Sequence, residues 1–247
     1  MKHREFVIEN NEIDSGDTPH VVQRVDGLPT LRIDNEQSEG AFLLTLSGLD
    51  DSLESSSLKE NTVYSISQVI AGHCVDAAYI HCRKLVFKAK SHQVYLVDVG
   101  RSDLLVLQIL EAWSDGVVLN WRDLDTIYRD SWFRACRTLV SHDEWRQTPV
   151  ANCIVLAPEG LASRDDFYCY LGEQLFGHTG YAGTNLDAFY DVLSCNDLRG
   201  ITIHIPNEER FAGILQSIMG DADYFSKFKS CFTDAMIDLR LGSIHSP

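Results

Sequence analysis

Short apolar or alternating runs, separated by clusters of Gly, Pro, Asn and Asp, fill the first half of the chain and predict strands. They are REFVIE at 4–9, HVVQRV at 20–25, PTLRI at 29–33, AFLLTL at 41–46, KLVFKA at 84–89, QVYLVDV at 93–99 and VVLN at 117–120. The acidic, Ser-rich stretch at 47–61 reads as an exposed loop. Helical spacing of apolar residues predicts helices over 102–113 and 121–140, the second burying Leu124, Ile127, Tyr128, Phe133 and Leu139. Trp113, Trp121 and Trp132 read as core. The polar stretch SHDEWRQTPVAN at 141–152 is the best boundary, giving a mixed α+β, strand-rich domain over 1–145 and a second domain over 146–247.

Beyond that boundary the order becomes regular. NCIVLA at 152–157 predicts a strand, and 163–176 a helix capped by Ser163 with Phe167, Tyr170, Leu171 and Leu175 inward. A Gly-containing loop, GHTGYAG at 177–183, runs into a further helix; it lacks the Gly-Lys-Ser/Thr of a phosphate loop and reads as a turn that lets backbones pack closely. A strand at 201–205, a helix from Glu208 to Met219, a helix capped by Asp221 with Phe225, Phe228 and Phe232 buried, and a last strand at 237–241 complete the series. Strands joined through helical crossovers imply an α/β domain, a small parallel sheet flanked by helices.

The helix after the Gly loop has two kinds of face. Leu186, Phe189, Tyr190 and Leu193 fall at i, i+3, i+4 and i+7, an apolar stripe; Asp187, Asp191 and Ser194 fall at i, i+4 and i+7 on another side. Thr184 or Asn185 can cap this helix, and Asp187 in its first turn then favours the helix dipole. Asp191 lies a turn deeper and has no such local reason. Like charges four apart repel, and a ridge of carboxylates suits Arg or Lys brought by another molecule.

Charge extends that picture. With a net charge of −15 the chain is a poor candidate for binding nucleic acid or an anionic membrane and a good one for a basic partner, whose encounter its field accelerates. An apolar fraction of 45% with no run long enough to span a bilayer, and no secretory pattern at the start, leads us to expect a soluble, cytoplasmic protein. Seven scattered cysteines without a C-x-x-C pair read as reduced, mostly buried thiols. His73-Cys74 and His81-Cys82 have no standard zinc spacing, and acidic residues at 122–125 and 143–145 have no visible catalytic partner, so no metal, cofactor or catalytic residue is expected.

The stretch YAGTNLDAFYDVLS resembles the signature helix of barstar-type ribonuclease inhibitors, through Tyr181, Gly183, Asn185, Leu186, Asp187, Ala188, Tyr190, Asp191 and Leu193. The element order on both sides agrees, so the resemblance covers about 150–247. It implies a three-stranded parallel sheet flanked by helices and a cytosolic inhibitor that plugs the active site of a basic, secreted or contact-delivered ribonuclease: an immunity protein or antitoxin, and no enzyme. It further implies that Asp191 takes the enzyme's phosphate-binding site, that Tyr181, Asn185, Leu186, Asp187, Tyr190 and Ser194 line the same face, and that Asp234 joins them from the last helix. Two departures are visible: Tyr190 stands where the family carries Trp, and CNDLRG follows Ser194 in place of a Gly-Trp loop. The alternative reading is a two-domain enzyme or adaptor whose C-terminal module only recruits a partner.

Overall fold

The computed structural model describes residues 6–10, 20–22, 24–26, 40–47, 58–70, 73–88, 92–125, 129–142, 146–196 and 198–242. The chain divides into two units between Thr138 and Leu139.

The first unit is built on an antiparallel sheet. Its strands are β1 (Phe6–Asn10), β2 (His20–Val22), β3 (Arg24–Asp26), β4 (Gly40–Ser47), β5 (Thr62–Ile70), β6 (His73–Lys88) and β7 (His92–Val99), in the order β2-β1-β5-β6-β7-β4-β3. Register explains why one face is apolar. Ile8 sits opposite Ile66, Ile66 opposite Ala78, Tyr64 opposite Ile80, Cys82 opposite Val97 and Leu44 opposite Tyr95, and all of these are buried. Period-two alternation puts their neighbours Leu43, Val63 and Tyr79 on the exposed side. Helix α1 (Arg101–Ser114) buries Leu105, Val106, Leu107, Ile109 and Leu110 and packs against β5 and β6.

The sequence expectations need correction at several points here. β5 and the first half of β6 are strands that the sequence pattern does not predict. Buried Ser65 and Ser67 break the alternation of β5, and register shifts after Ile66, Cys82 and Leu85 break that of β6. Residues 117–120 pair with no strand among the described residues. The Val117 N–H bonds back to Ala112 O at 2.9 Å, so this run closes α1 and leaves Val118 81% exposed. The helix expected over 121–140 is a short 3-10 turn at Trp121–Asp123, capped by Asn120, followed by α2 (Arg129–His142). Leu124, extended at ψ 145°, ends the turn. Trp121 and Trp132 are buried and Trp113 half-buried, with Trp113 and Trp132 edge to face at 5.0 Å. The strand expected at 29–33, most of the loop expected at 47–61, and Ile127 and Tyr128 of the expected helix lie outside the described residues.

The second unit contains β8 (Cys153–Val155), α3 (Arg164–Phe176), α4 (Leu186–Cys195), β9 (Thr202–Ile205), α5 (Glu208–Met219), α6 (Tyr224–Asp234) and β10 (Asp238–Leu241). Its sheet runs β10-β9-β8, wholly parallel, with Ile203 between Ile154 and Leu239. Each strand reaches the next through two helices, as the sequence order predicts. The helices are held together by phenylalanine. Phe228 of α6 lies 5.4 Å from Phe167, 5.4 Å from Phe189, 5.7 Å from Phe211 and 5.0 Å from Phe232, linking α3, α4, α5 and α6. Ser163, Asn185 and Asn207 cap α3, α4 and α5 through side-chain oxygens. Asp221 does not cap α6, whose flanking residue is Asp223; it accepts instead from the Asp223 N–H at 2.9 Å and from Lys227 Nζ at 2.7 Å.

Among the described cysteines, Cys82, Cys136, Cys169 and Cys231 are buried, Cys153 and Cys195 are exposed, and none is bridged. Among the described residues no helix is long and apolar enough to cross a membrane, and no group of three or more His, Cys, Asp or Glu could hold a metal ion. His81 lies 3.6 Å from Asp98; the side chains of His73 and Cys74 lie outside the described residues.

Candidate partner-binding face

Glycines set the approach to α4. A Cβ on Gly180 would lie 2.1 Å from the carbonyl oxygen of Gly172 in α3, and one on Gly172 would meet Gly180 as closely. Only hydrogen fits at either position, which is the close backbone packing expected of the GHTGYAG turn. Gly183 then turns the chain at φ +84°, with the backbone of Ala188 and Phe189 directly against it. Asn185 follows in extended conformation, and its Oδ1 accepts from the Ala188 N–H at 2.8 Å, closing the first turn of α4.

From that start the apolar stripe turns inward. Phe189, Val192 and Leu193 are buried and Leu186 is half-buried, while Asn185, Asp187, Asp191, Ser194 and Cys195 are exposed and Tyr190 is 39% exposed. One surface of α4 therefore presents Asp187, Tyr190, Asp191 and Ser194 together. Asp234, the last residue of α6, is exposed too, and α6 packs against α4. The thiol of Cys231 links the two helices: its Sγ lies 3.9 Å from the carbonyl oxygen of Leu186. Its pKa is raised first by burial, then by the negative charges of Asp234 and Asp187, so both carboxylates act on the same buried group.

The electrostatics of this face differ from those nearby. Glu208 pairs with Lys229 at 2.9 Å, Asp221 with Lys227 at 2.7 Å and Glu159 with Arg210 at 3.1 Å. Among the described residues, Asp187, Asp191 and Asp234 have no such cation. From Gly177 to Cys195 the sequence contains no Lys or Arg. The face is thus anionic, and its carboxylates are free to accept from donors on another molecule.

Tyr181 is placed differently from the aromatic contact that the resemblance implies. It is only 6% exposed, and its main chain is held by a residue that sequence reasoning did not single out. The Tyr181 N–H donates to Gln147 Oε1 at 2.8 Å, and Gln147 Nε2 donates to Tyr181 O at 2.7 Å. The Gln147 N–H in turn donates to Oδ1 of Asn196, the buried residue that ends α4. No periodicity marks Gln147 or Asn196; the available cue was their position, in the polar stretch before β8 and at the end of a helix.

No curated protein and no solved structure matches the chain. The first 150 residues match no family model either. Residues 151–241 match the family described as Barstar (barnase inhibitor), and with the parallel sheet and helix order above, the C-terminal region of this chain is a barstar-like domain.

Proposed function

We propose that this protein is an inhibitor that covers the active-site cleft of a basic nuclease with α4, acting as a cytosolic immunity protein or antitoxin against a secreted or contact-delivered ribonuclease. A barnase-inhibitor-like, protein-binding role follows from the family match. The observation that carries the finer reading is the exposed, unpaired pair Asp187 and Asp191, with Asp234 beside them on α6. A cleft that binds RNA presents Arg, Lys and His toward phosphate. A carboxylate can accept the same hydrogen bonds. Asp191, on the middle turn of α4, takes the phosphate position; Asp187, Asn185, Tyr190 and Ser194 flank it, and Asp234 extends the acidic surface. Leu186 and Tyr181 support the face from below.

The chain does no chemistry in this reading. It acts by occupying the site, and its net charge of −15 draws the basic enzyme in. The test is inhibition of a basic ribonuclease by the purified full-length chain, with barnase as the probe. Asp191→Ala leaves cationic groups buried in the complex without their partner, which costs about 3 kcal/mol or more, so the inhibition constant rises by roughly two orders of magnitude. The circular dichroism spectrum stays unchanged, because Asp191 is exposed. Failure of the wild-type chain to inhibit, or undiminished inhibition by Asp191→Ala, overturns the proposal.

A further inference from the structure

We infer that Gln147 is a positioning residue for the binding face, and that the stretch 146–152, which leads into the family match at 151, is a strap holding α4 in its binding-competent place. The inference rests on the reading that α4 meets the partner. Its structural basis is the set of bonds one residue makes to both flanks of one helix. The Gln147 side chain pairs with the main chain of Tyr181, donating at 2.7 Å and accepting at 2.8 Å, much as a neighbouring strand would. Its own N–H goes to Oδ1 of Asn196.

Tyr181 precedes α4 and Asn196 follows it directly, so these bonds close residues 181–196 into a loop that contains the whole helix. Asn196 is itself anchored: its Nδ2 donates to Val192 O at 2.7 Å and its N–H to the same oxygen at 3.2 Å. The strap is tied down elsewhere as well. The Val150 N–H donates to Leu175 O at 3.0 Å, near the end of α3, and Asn152 O accepts from the Thr202 N–H at 2.8 Å. Residues 146–150 have no regular secondary structure and precede position 151, where the family match begins. They lie outside the matched residues, yet they bond to the face that the match covers.

A helix fixed at both flanks enters a complex with little left to order, and such preorganisation slows dissociation more than it speeds encounter. In the full-length chain, Gln147→Met removes both side-chain bonds at similar length. With barnase as the probe, its dissociation rate rises about tenfold, while the association rate and its salt dependence stay within about twofold, because the surface charge is untouched. Amide exchange at Tyr181 quickens, while β9 and α5 exchange at the wild-type rate. Gln147→Glu keeps an acceptor for the Tyr181 N–H and loses the donor to its carbonyl, so exchange at Tyr181 stays nearer wild type although dissociation quickens.

Asp191→Ala separates the two ideas: it weakens binding by roughly two orders of magnitude and leaves exchange at Tyr181 unchanged. If Asp191→Ala binds normally, the reading of α4 as the partner face fails, and positioning for that face fails with it. If Asp191→Ala loses binding while Gln147→Met keeps both the wild-type dissociation rate and slow exchange at Tyr181, the strap alone is overturned. Exchange that rises uniformly over β9 and α5 in Gln147→Met also overturns it, since Gln147 would then only stabilise the fold.

Discussion

Three glycines of the C-terminal unit differ in one variable at a time, and replacing each by alanine separates the cost of a close approach from the cost of a backbone angle. Gly183 has φ +84° and Gly200 φ +79°, so alanine meets nearly the same conformational penalty at both, about 1–2 kcal/mol. They differ in space. A Cβ on Gly200 has nothing within 4 Å, whereas one on Gly183 lies 2.7 Å from the carbonyl carbon of Ala188, 2.7 Å from the nitrogen of Phe189 and 3.0 Å from the Cβ of Ala188. Those are mainly backbone atoms of the first turns of α4 and cannot swing aside, so the clash adds about 1–3 kcal/mol. Gly213, inside α5 with open space around it, has neither penalty, and Gly213→Ala stabilises by about 0.5–1 kcal/mol. The expected order of stability is therefore Gly213→Ala above wild type, Gly200→Ala about 1–2 kcal/mol below it, and Gly183→Ala about 2–5 kcal/mol below it. Two units need not unfold together, so the assay is native-state amide exchange in β9, the central strand of the second unit. A Gly183→Ala protein no less stable than Gly200→Ala would refute the close approach, and with it the argument that this turn fixes where α4 begins.

Asn185→Ala removes the cap of α4 and lowers stability by about 1 kcal/mol, read in the same exchange experiment; no change would mean that the Asn185 bond is not formed in solution. Phe228→Ala opens a hole between four other aromatic rings and costs about 3–5 kcal/mol, measured by urea unfolding of the helical signal. Lys227 and the Asp223 N–H hold the carboxyl of Asp221 below its usual pKa, so its contribution is present above the unfolded carboxylate value, about pH 4, and is lost as pH falls through the lower folded value. Asp221→Asn should therefore weaken the acid-side fall in stability, checked by thermal melts across that range. Asp191→Lys turns a repulsive i, i+4 pair with Asp187 into an attractive one, raising stability by about 0.5–1 kcal/mol while abolishing inhibition of barnase, two readouts obtained on one protein.

What the sequence revealed depended on whether a segment's periodicity reflects its burial. The second unit was legible almost throughout, because α4, α5 and α6 each bury a stripe at helical spacing, α3 buries Phe167, Tyr170, Leu171 and Leu175 together with the residues between Asp166 and Gly172, and three of the four are opened by a capping Ser or Asn. The parallel sheet then followed from the order of elements alone. The first unit was less legible. β5 buries Thr62, Ser65 and Ser67 alongside Tyr64 and Ile66, so its polarity does not alternate, and β6 slips register and with it the side its residues face. The run at 117–120 has strand composition, but composition cannot supply a pairing strand. At the candidate site, the exposure of Asp187, Asp191 and Ser194 could be read from a helical wheel, because it depends only on spacing. Tyr181 could not: an aromatic in a Gly-rich loop looks like a surface contact until the backbone turns it inward. Gln147 was invisible for a related reason, since its bonds go to main-chain atoms and to Asn196, 49 positions away.

The two aspartates of α4 then have to be explained separately. Asp187 stands in the first turn beside a capping Asn, where the helix dipole offsets its charge, and a surface helix would keep it for that alone. Asp191 is past the reach of that dipole, repels Asp187, and has no cation among the described residues. The neighbouring helices show that this unit readily matches acid with base, since Glu208, Asp221 and Glu159 each have a Lys or Arg within 3.1 Å. A few tenths of a kcal/mol left in the free protein is a small penalty. It becomes a gain once a basic cleft closes over the helix and the same carboxylate accepts hydrogen bonds away from water. In the proposed reading the cost falls on the unbound chain and the benefit on the complex, which is why stability and inhibition are expected to move in opposite directions when Asp191 is reversed in charge.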